Sequence, residues 1–283
     1  MSITGDDTTK TIRSQQGIRL GGWVRDTPDS RDHAYAAPIS TMAALPAHYD
    51  LRNEFMPDVY DQGSLGSCTA NAIAGAVQYV RRKYPQTEPD FMPSRLFIYY
   101  NERAIEHTVP LDNGAQLRDG VKSVSKFGVC PEPLWPYNAA PADEITHLFP
   151  SDSRAVLKPE QQCFDEAIHH QAVAYWRMPQ ALNQMRGCIA EGFPFVFGFT
   201  MYSSFFDVDH QPLATTPLPA QTDDLLGGHA VLAVGYDDTT ALFTIRNSWG
   251  PGHQDRGYFR MPYSYLSDPL LAADFWTIRK LEG

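Results

Sequence analysis

The stretch YDQGSLGSCTANAIAGAV, Tyr60–Val77, joins a polar, glycine-rich turn directly to an apolar run, with Cys68 at the junction. Ala70, Ala72, Ile73, Ala74, Ala76, Val77 and Val80 leave almost no polar face, so residues 68–83 are expected to form a helix buried on nearly all sides. Its small side chains let other elements approach closely. A helix N-terminus carries partial positive charge and unpaired N–H groups. A thiol placed there ionises more readily, and the thiolate is the nucleophilic form. Cys68 is therefore a candidate nucleophile, and its own backbone N–H a candidate donor to an oxyanion.

Around this helix the chain changes character once. Residues 1–44 are polar and weakly periodic and read as an irregular N-terminal extension. Further helices are expected over 93–106, with Pro93 in the first turn, over 115–127, with Gly128 as the stop, and over 180–191, closed by Gly192. The second half carries β-branched and aromatic runs, FPFVFGFTM (193–201), HAVLAVGY (229–236), LFTIRNS (242–248), GYFRM (257–261) and FWTIRK (275–280), which read as strands. Helices first and strands later indicate an α+β protein with two lobes. One domain over 45–283 is expected, mainly helical over about 45–155 and mainly β over about 156–283.

The formal net charge of -10 argues against nucleic acid as a partner, since phosphate binding needs a basic face. The run Arg81-Arg82-Lys83 reads as a solvated helix end. No stretch of about 18 apolar residues exists, so no membrane span is expected. The opening MSITGDDTTKTIRSQQG lacks an apolar core, so no secretory signal is visible, and the compartment stays open. The four cysteines, Cys68, Cys130, Cys163 and Cys188, match no zinc spacing. Their pairing is open. His169-His170 with Cys163, and DVDHQP (207–212), also lack ligand spacing. No metal and no cofactor are expected.

A thiolate nucleophile needs a base, and the base needs an orienting partner. GGHAVLAVGYDD supplies His229, preceded by Gly227 and Gly228, and RNSWG supplies Asn247. If the two strands pair as an antiparallel hairpin, His229 and Asn247 lie at the same end. The asparagine carbonyl then accepts from the imidazole ring N–H, and Trp249 shields that bond from water. Gln62, six residues before the cysteine, offers a side-chain amide donor.

Together, QGSLGSCTA, GHAVLAVGY and NSWG…GYFRM resemble the papain-like cysteine peptidases over about residues 45–280, and LPAHYDLRNEF resembles the start of their mature domain. The resemblance implies a papain-like two-lobed fold with a cleft between a helical lobe and a β-barrel-like lobe. It implies Cys68 as nucleophile, His229 as general base and acid, Asn247 as the residue orienting the imidazole, and Gln62 as partner of the Cys68 N–H in the oxyanion hole. DNGAQLRDGVKSVSKFGV resembles the substrate-binding strand and the helix after it. Asn113, Gly114 and Ala115 would hold the substrate backbone. Leu117 and Ala273 would line the pocket for the residue two before the scissile bond, where an apolar side chain is expected. Gly228 and Trp249 complete the substrate-side set.

Departures from the family pattern accompany the match. Leu65 and Asp112 stand where the family usually has a disulfide, Thr69 and His253 where it has tryptophans. The N-terminal extension is shorter than the usual helical prosegment and resembles that of a bacterial branch. Its GGWVRDTPDSRDHAY (21–35) suggests a zymogen in which the extension lies along the cleft. The expected partners are a peptide or protein substrate and this segment, in a monomer. Two alternatives on the same scaffold are a catalytically silent peptide-binding module and a Cys-His acyltransferase. The latter would carry an acid where Asn247 stands.

Overall fold

The strands of the second half supply six of the seven strands of one large sheet. In the computed structural model, residues 21–84 and 89–282 are described, and the first twenty residues of the expected extension lie outside them. The strands are β1 (Trp23–Val24), β2 (His48–Asp50), β3 (Ala115–Gln116), β4 (Ala172–Arg177), β5 (Phe195–Tyr202), β6 (Leu225–Asp237), β7 (Leu242–Arg246), β8 (Tyr258–Pro262) and β9 (Ala272–Leu281). The large sheet runs β4-β9-β5-β6-β7-β8, with β2 added on β6. Its pairings are antiparallel throughout. β6 is buried from His229 to Tyr236 because it has β5 and β7 on its edges and a helix on its face.

That helix is α2 (Cys68–Lys83), in which every residue from Cys68 to Arg81 is buried. The expected all-round burial is observed, and it extends further than anticipated. Arg81 is only 2% exposed and stacks over Phe91 while bonding His170 Nδ1, so the basic run is not a solvated helix end. Arg82 alone keeps to the surface, pairing with Asp90. The correction has a simple cause: α2 is central, and its last turn passes beneath the segment carrying Phe91 before it reaches water.

The remaining helices are α1 (Ile39–Ala43), α3 (Arg95–Ile105), α4 (Leu117–Phe127), α5 (Gln161–Ala167), α6 (Leu182–Ala190) and α7 (Tyr263–Ser267). Ser94 caps α3 by accepting from the Phe97 N–H, and Gly128 ends α4 at φ 76°, a left-handed conformation that glycine adopts at no steric cost. α3 packs on α2, and α4 packs on α2 and α3 and against β4 and β9 of the sheet. Phe195, Phe197, Phe199 and Phe275 interlock within the sheet's core.

The N-terminal extension, read from sequence as irregular, is structured over its described part. β1 pairs in parallel with β3, and α1 rests on α6. β4 and α5 were not anticipated. The β4 stretch AVAYWR is half-exposed and breaks strict alternation, so its period is weak.

Candidate active site

The hairpin of β6 and β7 sets the first relationship. Its register pairs Leu232 with Arg246, which carries His229 and Asn247 to the same end. There His229 Nε2 and Asn247 Oδ1 are 2.8 Å apart. The amide nitrogen of Asn247 donates to Gln254 Oε1 at 3.1 Å, which turns the carbonyl oxygen toward the ring. Nε2 therefore carries the hydrogen, and Nδ1 is left with its lone pair. Trp249 stacks on the imidazole, ring centres 4.9 Å apart at 26°, and is 2% exposed. It excludes water from the His–Asn bond.

Cys68 opens α2, and its Sγ accepts from the Ala230 N–H at 3.3 Å. The thiol thus meets the strand at the residue following His229. His229 Nδ1 is buried and has no hydrogen-bond partner among the described residues. Burial pushes the Cys68 thiol up to about 12, and the Ala230 N–H offsets this only in part. Burial likewise pushes His229 down to about 4 against the opposing bond from Asn247. In this covered state both groups are uncharged at neutral pH.

Gln62 is fully buried. Its backbone N–H donates to Ser248 O at 2.8 Å, its Oε1 accepts from Ser248 Oγ at 2.6 Å, and its Nε2 donates to Leu65 O at 2.9 Å. An amide nitrogen has two hydrogens, so one donor of Nε2 remains. The loop before Cys68 is tied by a carboxylate. Asp112, fully buried, accepts from Gly66 N–H at 3.0 Å and from the Tyr99 hydroxyl. At the positions where the family resemblance placed a lost disulfide, a hydrogen-bonded link from Asp112 holds the turn beside Leu65. Cys130, Cys163 and Cys188 are buried and unbridged.

The groove beside Cys68 is occupied by the extension. Gly22 N–H donates to Gly228 O at 2.9 Å, and Gly22 O accepts from Ala115 N–H at 3.0 Å. A methyl built on Gly22 would lie 2.9 Å from Cys68 Sγ and 2.5 Å from Gly66 O. One built on Gly114 would lie 2.2 Å from Gly22 O, so both backbones need glycine to approach this closely. Trp23 lies against Gly198 and Gly228, with its Nε1 donating to Asp274 Oδ2 at 3.2 Å. Ala273 faces Gly198 across the β5–β9 pairing, and Leu117 is buried at the start of α4. Asn113 is exposed at the groove's rim.

The structure thus brings Cys68, His229, Asn247, Gln62 and Trp249 into one neighbourhood, with Gly114, Ala115 and Gly228 lining the adjoining groove. Asp274, Gly198, Gln254 and the structural role of Asp112 were missed from sequence. Asp274 did leave a signal, a single acid inside the apolar run AADFWTI. Gln254 left none. Of the residues in the two stretches without ligand spacing, His170 bonds Arg81 and Asp207 accepts from the Gln211 N–H.

The sequence profile of the papain family cysteine protease matches residues 45–267. A peptidase C1-like protein of Acanthamoeba polyphaga mimivirus is 34% identical over 92% of this chain and 86% of its own length. A cathepsin B-like protein of Giardia intestinalis is 27% identical over 82% of this chain and 74% of its own. Among solved structures, xylellain, a cysteine protease from Xylella fastidiosa, superposes with a TM-score of 0.88 at 47% identity, covering 95% of this chain and 99% of that one. Procathepsin B of Trypanosoma congolense shares the fold at 16% identity, with a TM-score of 0.67 over 86% of this chain and 80% of its own.

Proposed function

The chain belongs to the papain family of cysteine proteases, and from that premise we propose that it cleaves peptide bonds through Cys68, His229, Asn247 and Gln62, and that its own N-terminal segment holds it latent. The sulfur of Cys68 gives its proton to His229 Nδ1 and attacks the substrate carbonyl carbon. A C–S bond forms, and the oxyanion is received by the Cys68 N–H and the free N–H of Gln62 Nε2. His229 returns the proton to the amine as the C–N bond breaks. Water, losing its proton to His229, then attacks the acyl-enzyme. The C–S bond breaks, and a carboxylic acid and the thiol are released.

The observation that carries this reading is the fixed imidazole. With Nε2 held by Asn247, only Nδ1 is left for the sulfur, and the sulfur lies 3.3 Å from the next residue's N–H. The test is hydrolysis of a quenched peptide library by the full chain, with Cys68→Ala as control. Cleavage by the first and none by the second is expected, and equal rates would end the reading.

Latency is supported by the backbone pairing of Gly22 with Ala115 and Gly228, and by the burial that leaves thiol and imidazole uncharged. Release of the segment rehydrates both, which favours their ion pair. A chain starting near Leu45 is expected to cleave peptides faster than the full chain.

A further inference from the structure

Resting on the peptidase reading above, we infer that the pocket now filled by Trp23 selects a tryptophan at the substrate residue two before the scissile bond, with Asp274 as the residue that recognises its indole N–H. The walls come first. A methyl built on Gly198 would lie 1.9 Å from Trp23 Cε2, and one on Gly228 would lie 2.8 Å from Cε3. Two glycines on adjacent strands therefore leave a slot that a flat double ring fills, and any side chain at Gly198 would close it.

The floor of the slot is polar. Asp274 is 5% exposed and sits in the strand at φ 60°. Its Oδ1 accepts from Arg177 at 3.2 Å, a partner that belongs to the same domain and stays when the extension leaves. Its Oδ2 accepts from two donors, the Asp26 N–H at 2.7 Å and Trp23 Nε1 at 3.2 Å. Both donors belong to the extension. When it leaves, Oδ2 loses both partners and meets water, and an apolar occupant that covers the slot again would leave it unsatisfied.

An indole restores both flat packing and an N–H at the position Trp23 now uses. Phenylalanine or leucine supplies the packing alone. Arginine supplies donors, but Asp274 already carries a guanidinium, and a second cation would meet Arg177. The apolar preference expected from the family resemblance is thus refined to an aromatic ring with a hydrogen-bond donor.

Peptides identical except for Trp, Phe, Leu or Arg at this position test the inference in the full-length chain. The tethered segment competes equally with each of them, so ratios of kcat/KM do not depend on how much of the protein is uncovered. Trp is expected to exceed Phe by roughly 10-fold or more, the range for a hydrogen bond to a charged acceptor. Asp274→Asn, which keeps a side chain tolerant of positive φ, is expected to shrink that ratio several-fold. Gly198→Val, which puts a side chain where the indole lies, is expected to abolish the preference for Trp over Leu. Binding of the same peptides to the full-length Cys68→Ala chain reads the pocket without the chemistry. Selective binding of the Trp peptide with no cleavage by the unaltered chain would defeat the peptidase reading and leave this one standing. Cleavage or binding in which Phe, Leu or Arg equals Trp, or a Trp-to-Phe ratio untouched by Asp274→Asn, would overturn it.

Discussion

Gly22 lies directly against Cys68. With hydrogen in place of a side chain it brings its backbone to the thiol, where even a methyl would stand 2.9 Å from the sulfur. The extension therefore approaches by backbone complementarity, and the neighbouring Trp23 is buried in the groove beside the thiol. Gly22→Val is expected to expel the segment while leaving the peptidase residues unchanged. Peptide hydrolysis by that full-length variant should approach the rate of a chain beginning near Leu45. A variant no faster than the unaltered chain would remove Gly22 from the inhibitory contact.

Asp26 gives the docked segment a dependence on pH. Its carboxylate accepts from Arg118 N–H and Trp276 Nε1, and Asp274 lies beside it. Burial, then the charge of Asp274, pushes Asp26 up to about 6 from its ordinary 3.8. Docking thus takes up a proton. Its contribution is complete below pH 3.8, falls as the pH rises, and is gone above about 6. Arg118, Arg177, Asp32 and Glu106 also face this cluster, and Glu106 is itself raised to about 7, chiefly by burial. Cleavage of the segment by a second protease should quicken between pH 4 and pH 6. Asp26→Asn should flatten that rise, and an unchanged profile would exclude Asp26 as its source.

Gln62→Ala should lower kcat by roughly 10²–10³ with little change in KM, the usual cost of one oxyanion donor. Gln62 also holds Ser248, so the melting temperature must be read alongside. Unchanged turnover would show that Nε2 does not meet the oxyanion.

Asp112→Ala should destabilise the chain by about 1–3 kcal/mol, because Gly66 N–H and the Tyr99 hydroxyl lose a buried acceptor. Calorimetry should show a melting temperature lower by several degrees. An unshifted transition would mean that the link between the two loops is dispensable.

The strongest signals in the sequence were those where one physical demand dominates. A helix with no polar face has to be central, and α2 is. A 229–236 run of apolar residues has to be an interior strand, and β6 is. The two ends of its hairpin then place His229 against Asn247 without further information. What escaped notice depends on partners far along the chain. Arg81 reads as solvent-seeking until Phe91 and His170 close over it. Trp23 and Val24 are too short a strand to show a period, and they form one only because Ala115 offers an edge. Asp274 carries no local sign of its partner 251 residues earlier.

The central claim, that Cys68 works as a thiolate paired with His229 once the groove is open, is tested most directly by the pH dependence of Cys68 alkylation in the Gly22→Val chain. A thiolate–imidazolium pair gives fast alkylation that is already substantial in mildly acid solution, and His229→Ala in the same chain returns it to a single rise near the ordinary thiol value of about 8.5. A profile that rises only near that value in both proteins, or label on Cys130, Cys163 or Cys188 in place of Cys68, would contradict it.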